Sequence, residues 1–232
     1  MKDIQQNIAD IEQKICAAAQ KSGRKREDIL LLAVSKTIDV QHIQEAVDCG
    51  LTELGENKVQ EILEKYEKLE NVSWHLIGHL QTNKVKYIID KVKMIHSVDS
   101  LKLAEEINKR AKQANIIMDI LVEVNMEQEE SKFGVSPEDT LSLIQNIAFL
   151  DNIRIKGLMT VAPFVDNPEE NRDCFRRMKQ LLVDINNEKI DNVHMSILSM
   201  GMSNDFEVAI EEGATIVRVG TNIFGKRVYP QK

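Results

Sequence analysis

The feature that most constrains this chain is an alternation. Short apolar stretches recur eight times, at residues 29–35, 51–55, 72–78, 94–98, 118–125, 154–159, 193–199 and 215–220. Between them lie helical patterns such as "DVQHIQEAVDCG", "SLKLAEEINKRAKQA" and "PEENRDCFRRMKQLLVDINN". Strands that alternate with helices run parallel, because each crossover must return the chain to the same end of the sheet. Eight such units predict an α/β fold, a single (β/α)8 TIM-type barrel, in preference to a doubly wound sheet. Ahead of the first strand, Ile4, Ile8, Ile11 and Ile15 recur at helical spacing before Gly23, which predicts an extra N-terminal helix with one covered face. Without a Gly/Pro/Ser-rich linker or an internal repeat, residues 1–232 read as one domain.

In a barrel of this kind the chemistry sits at the C-terminal ends of the strands. That rule turns the strand order into a map of loops. Lys36 follows strand 1, "GEN" follows strand 2, "GHLQTNK" strand 3 and "MEQEESKFG" strand 5. "MTVAP" follows strand 6, "SMGMSND" strand 7 and "GTNIFG" strand 8. Polar and glycine-rich sequence is therefore gathered at one end.

Composition narrows what that end can bind. With 37 acidic against 30 basic residues the formal charge is −7, which speaks against nucleic acid or an anionic membrane as partner. Cys16, Cys49 and Cys174 are odd in number, far apart and free of any CxxC pair, as expected in a reducing cytoplasm. No stretch approaches the roughly 20 apolar residues needed to span a bilayer. The beginning of the chain lacks a secretory apolar region, and Asp3, Asp10 and Glu12 speak against an organellar presequence. The reading is a cytoplasmic protein.

The loops after strands 7 and 8 carry the pattern of an anion site. Gly201 and Gly220 allow close backbone approach, Ser199, Ser203 and Thr221 offer hydroxyls, and Ser203 or Asp205 is placed to cap a short helix ending at Gly213. A phosphate site built from these two loops recurs in such barrels. The plainer alternative is that glycine and serine merely end strands.

"LLAVSKT" then raises a question, because an ammonium group closes a strand that reads as interior. Lys36 either snorkels to water or reacts. Partial desolvation and Arg218 in the same mouth would favour its neutral form, which Schiff-base chemistry with an aldehyde requires. Both a sugar phosphate, as in aldolases, and pyridoxal 5′-phosphate satisfy that description. Arg218, in "IVRVG", is expected either to pair with Glu56 or Glu123, or to donate to a ligand atom. Beside a pyridine nitrogen, a permanent cation would keep that nitrogen unprotonated.

Taken together, "AVSKT", "GEN", "WHLIGHLQTNK", "ESKFGV", "GLMTVAP", "LSMGMSND" and "VRVGTNIFG" closely resemble the pyridoxal phosphate homeostasis proteins, also called proline synthetase co-transcribed proteins. The resemblance runs from about residue 30 to 227 and extends, more distantly, to the barrel domain of bacterial alanine racemases. It implies an alanine racemase N-terminal-domain-like barrel with pyridoxal 5′-phosphate as cofactor, carried by Lys36 as a Schiff base. It further implies Ser199, Gly201, Ser203, Gly220 and Thr221 around the phosphate and Arg218 beside the pyridine nitrogen. Asn57 and Met200 are implied near the ring or the phosphate entrance. The sequence departs from the family at Leu54, where many members have Phe before "GEN".

A racemase needs a base on each face of the bound amino acid. Alanine racemases take the second, a tyrosine, from an additional domain of the partner subunit, and Tyr66, Tyr87 and Tyr229 here fall on helical stretches or the tail. The expectation is therefore a monomeric, non-catalytic carrier with no catalytic residues, which buffers the cofactor or delivers it to apo-enzymes in vitamin B6 homeostasis. A low-activity racemase or similar enzyme is the alternative. Metal binding is not expected: His75 and His79 on a strand lie about 13 Å apart. His42, His96 and His194 read as surface or strand residues, the methionines as packing, and Glu123 as structural.

Overall fold

A computed structural model describes residues 3–129 and 131–225. Eight parallel strands close into a barrel in sequence order: β1 (Leu30–Val34), β2 (Glu53–Glu56), β3 (Ser73–Leu76), β4 (Val92–Val98), β5 (Met118–Glu123), β6 (Ile153–Met159), β7 (Ile197–Met202) and β8 (Ile216–Val219). Closure is made by β8 against β1, with Leu32 opposite Arg218. The expected barrel is therefore the observed one.

The helices follow the apolar periodicity. α1 (Ile4–Lys21) precedes the barrel and buries Ile4, Ile8, Ile11 and Ile15, and the Asp3 carboxylate accepts the Gln6 amide at its start. Then come α2 (Val40–Asp48), α3 (Val59–Tyr66), α4 (Leu101–Gln113), α5 (Pro137–Ile147), α6 (Arg172–Asn187), α7 (Phe206–Glu211) and the single turn α8 (Thr221–Phe224). Between β3 and β4 a 3-10 segment, Thr82–Tyr87, takes the place of a crossover helix. Pro168–Asn171 is likewise 3-10, so α6 starts four residues later than its sequence pattern begins.

Two apolar layers result. Leu32, Met94, Leu121, Met159 and Ile216 form one cluster, while Ile43, Ile62, Ile107, Ile144 and Phe175 belong to the larger one that packs the helices onto the outer face. α1 lies against α2, α7 and α8. Asn7 Nδ2 donates to the Ile223 carbonyl at 2.9 Å, Lys14 and Lys21 pair with Glu207 and Glu211, and Arg24 donates to the carbonyls of Ala214 and Ile210.

The strand that departs furthest from its sequence boundaries is β7. Residues 193–196 are not in β7, because Asn186 of α6 exchanges two hydrogen bonds with the Met195 backbone at 2.8 and 3.2 Å and takes that residue out of the ladder. At its other end β7 runs on through Met200 and Gly201, with a register irregularity between Ser199 and Met202. Gly201 has φ +88°, and a Cβ there would stand 2.5 Å from Ala209 Cβ, so glycine lets α7 close onto the strand.

Candidate functional site

A cavity of about 310 Å³ opens at the C-terminal ends of the strands, within the range of small-molecule sites. It is lined by Val34 and Lys36 after β1, Asn57 after β2 and Ile77 after β3. Val161, Pro163, Phe164 and Val165 follow β6, Met202 to Asp205 close β7, and Arg218, Gly220 and Thr221 belong to the β8 end. Six residues singled out from sequence therefore meet here: Lys36, Asn57, Ser203, Arg218, Gly220 and Thr221.

The other three do not line it. Met200 is fully buried among the outer-layer apolar side chains. Gly201 faces Ala209 and Phe206 of α7. Ser199 is fully buried and bonded to Arg218. The apolar residues after β6, which form much of the wall, carried no polar signature to single them out.

Lys36 is partly buried, and its backbone is clamped on both sides. Before it, the Ser35 amide donates to the Gly55 carbonyl at 3.1 Å and the Ser35 carbonyl accepts from Lys65 Nζ at 2.9 Å. After it, the Thr37 amide donates to Glu61 Oε2 at 2.6 Å, with Thr37 held at φ +65°. A left-handed conformation is costly for a β-branched residue and persists only where its surroundings impose it. The clamp continues inward. Glu56 Oε1 accepts from Ser35 Oγ at 2.6 Å and from Lys65 Nζ at 2.8 Å. Burial pushes the Glu56 carboxyl up, and Lys65 opposes that. Burial also acts to raise Glu61, but the Thr37 amide and Lys65 hold it below the usual carboxylate range.

Arg218 is only 4% exposed. Burial pushes its guanidinium down to about 10, against the pull of Glu123 and Asp205, so it stays charged at neutral pH. The expected pairing with Glu56 or Glu123 is not what holds it. Glu56 is occupied by Lys65 because both side chains occupy the same clamp between the β1 end, the β2 end and α3. Arg218 Nη1 instead donates to Ser199 Oγ and Nη2 to the Thr160 carbonyl, both at 2.8 Å. Glu123 acts on it through its field, and burial, reinforced by Asp99, pushes the Glu123 carboxyl up to about 7.

Opposite the lysine, the loops after β7 and β8 are tied together. The Gly220 amide donates to Ser203 Oγ at 3.2 Å, and Asn222 Nδ2 to the Ser203 carbonyl at 2.7 Å. α8 begins at Thr221, where the first amides of a helical turn have no acceptor within it. The cap expected at α7 takes another form. Asp205 occupies the position before the helix, but its carboxylate accepts from the Met202 amide at 2.6 Å and Asn171 Nδ2 at 2.8 Å, and Ser203 turns to Gly220. Asp205 thus folds the loop back on itself instead of capping the helix.

The remaining polar residues are placed elsewhere. His75 and His96 are buried inside the barrel, and His79 stacks on Phe133 with ring centroids 3.8 Å apart. Among the described residues no group of three or more His, Cys, Asp or Glu is arranged to hold a metal ion, and no helix is long and apolar enough to cross a membrane. Tyr66 and Tyr87 lie partly exposed outside the cavity, and Tyr229 lies outside the described residues.

Fold and cavity together define a barrel of the alanine racemase type, and the family profile described as "Alanine racemase, N-terminal domain" matches residues 4–228. The chain belongs to the pyridoxal phosphate homeostasis proteins within that class. It is 48% identical to the pyridoxal phosphate homeostasis protein of Aquifex aeolicus, over 97% of this chain and 98% of the relative. With the Escherichia coli K12 protein of that name the identity is 37%, and each chain is fully covered. PipY of Synechococcus elongatus, solved with PLP bound, superposes with a TM-score of 0.85 at 30% identity, covering 96% of this chain and all of PipY. An alanine racemase of Clostridium difficile shares the fold, with a TM-score of 0.76 at 19% identity, and this chain covers 57% of its length.

Proposed function

We propose that this chain binds pyridoxal 5′-phosphate in the cavity at the C-terminal end of the barrel, as a Schiff base on Lys36. In the cytosol, as a monomer, it buffers the cofactor or delivers it to apo-enzymes, without catalytic turnover. The observation that carries this reading is the meeting of Lys36 and Arg218 in one cavity with the joined loops of Ser203, Gly220 and Thr221. An amine, a permanent cation and a set of hydroxyl and amide donors match an aldehyde, a pyridine nitrogen and a phosphate. The names of the relatives and the PLP held by PipY support the same ligand.

The chemistry is reversible. The Lys36 amine adds to the aldehyde carbonyl and one water leaves; hydrolysis restores both partners, as storage or delivery requires. Arg218 stays charged and would leave the ring nitrogen unprotonated, making the ring a weak electron sink. Asn57 would border the ring or the phosphate entrance. Ser199, Met200 and Gly201 act from behind, by holding Arg218 and seating α7. No tyrosine among the described residues lines the cavity to serve as a second base.

The test is spectroscopic. Protein mixed with pyridoxal 5′-phosphate should turn yellow, bleach with borohydride and carry the label on Lys36, and Lys36→Ala should lose the covalent link. Label on another lysine overturns the site. Sustained α-proton exchange across a panel of amino acids in deuterated water overturns the absence of turnover.

A further inference from the structure

Behind Arg218 a line of polar side chains crosses the barrel interior. Ser199 Oγ lies 3.0 Å from His96 Nδ1, His96 Nε2 lies 2.9 Å from His75 Nδ1, and His75 Nε2 lies 2.6 Å from Glu53 Oε2. Lys93 Nζ donates to Glu53 Oε1 at 2.5 Å. Ser199 belongs to β7 and His96 to β4, strands that are not neighbours in the sheet, so this contact spans the lumen. Ser199, His96 and His75 are at most 1% exposed, whereas the Lys93 side chain at the opposite mouth is 53% exposed. The line connects solvent at the N-terminal ends of β2 and β4 to the guanidinium at the cavity.

The direction of each hydrogen bond can be deduced. Arg218 has only donors, so it occupies one lone pair of Ser199 Oγ. At the far end, burial acts to raise Glu53, but His75 and Lys93 hold it below the usual range, so it is an ionised acceptor. His75 Nε2 must then carry a proton. His96 is held neutral by burial, with the charge of Arg218 adding to the effect. If His96 carried its proton on Nδ1, His75 would have to supply both its ring protons and become a cation inside the barrel. The Ser199 hydroxyl would also lose its acceptor. One arrangement of neutral rings satisfies every contact: Arg218 to Ser199, Ser199 to His96 Nδ1, His96 Nε2–H to His75 Nδ1, and His75 Nε2–H to Glu53.

We propose that Ser199, His96, His75 and Glu53 are positioning residues of the cavity, a one-way hydrogen-bond relay that fixes the Arg218 guanidinium from behind. Two of the five N–H donors of Arg218 are committed, to Ser199 and Thr160. With them tied, the plane of the group is set and the remaining donors have fixed directions. The inference deepens the reading of Arg218 as the partner of a ring nitrogen and rests on that reading for its ligand.

The test has a ligand-free arm and a ligand arm. In the ligand-free protein, 15N spectra of the histidine rings should show His75 and His96 neutral with the proton on Nε2. A proton on His96 Nδ1, or rapid exchange between the two nitrogens, overturns the relay whatever the cavity binds. In the ligand arm, Ser199→Ala should weaken binding of pyridoxal 5′-phosphate about tenfold, as loss of a charge-assisted contact does, and shift the absorption maximum of the bound ligand. Glu53→Gln keeps the shape at the remote mouth and should shift that maximum in the same direction by a smaller amount. An unchanged spectrum in a folded Glu53→Gln protein would mean that Glu53 only packs, and would overturn the relay. A parent protein that forms no coloured complex would overturn the cofactor reading and leave the ring spectra to decide the relay.

Discussion

Lys65 Nζ donates to the carbonyl oxygen of Ser35 at 2.9 Å, so the residue just before Lys36 is held by a second, buried lysine. The same ammonium reaches Glu56 at 2.8 Å and Glu61 at 3.3 Å, and Glu61 in turn takes the amide of Thr37. Lys36 is thus presented by a charged clamp whose members lie on α3 and the ends of β1 and β2.

Lys65→Met should be severely destabilising, because it leaves the Glu56 carboxylate buried without its counter-charge. The loss expected on breaking such a pair is about 3–5 kcal/mol. Adding Glu56→Gln should recover most of it, since removing both charges costs far less than removing one. Urea unfolding of the two variants checks this, and equal losses would show that the charges are not coupled.

Glu123 predicts a pH dependence whose sign follows from its raised pKa. Below about pH 4.5 the carboxyl is protonated in both folded and unfolded chains and contributes nothing. Between 4.5 and about 7 the unfolded chain gives up the proton while the folded chain keeps it, so stability falls as pH rises. The difference corresponds to about 3 kcal/mol. Glu123→Gln should match the parent near pH 4 and exceed it by up to that amount at pH 8. Thermal unfolding across this window checks it, and parallel curves would contradict the assignment.

Gly78 is a packing device for the cavity wall. A Cβ at this position would lie 2.5 Å from the Asn57 carbonyl oxygen and 2.7 Å from its Cα. Backbone yields less readily than a side chain, so Gly78→Ala should push Asn57 off its place. We expect about 1–3 kcal/mol of destabilisation together with weaker binding of pyridoxal 5′-phosphate. Titration of the visible band measures the second effect, and unaltered affinity would mean that the position of Asn57 is immaterial.

Gly201→Ala should combine a left-handed backbone penalty of about 1–2 kcal/mol with a clash against Ala209. Removing the facing methyl group through Ala209→Gly should relieve the clash and leave the backbone penalty. The double variant is therefore expected to be more stable than Gly201→Ala alone. Denaturant midpoints decide, and additive losses would place the strain elsewhere.

The barrel was legible because strand and helix periods are local properties, as the four isoleucines of α1 show. The β7 boundary was not, since it depends on Asn186, a side chain from another element, capturing the Met195 backbone. Lys36 and Arg218 stood out as charges in apolar runs, and the structure brings them together. The outward turn of Met200 follows from the period of two along a strand, since it comes directly after Ser199, which faces the lumen. The roles of His75 and His96 had no local signature. His96 reaches Ser199 across the lumen, 103 residues away in sequence, and only closure of the barrel makes that contact.

α1 lies against both α7 and α8, which leave the barrel at the rim of the cavity. Its bonds to Ile223, Glu207 and Glu211 make it the backstop of the two loops that face Lys36. Linkage is reciprocal: whatever clamps those loops from inside will quiet the amino-terminal helix, and whatever peels that helix away will loosen the grip. A segment that looks like an appendage in the sequence is a brace behind the helices that carry the pocket's loops.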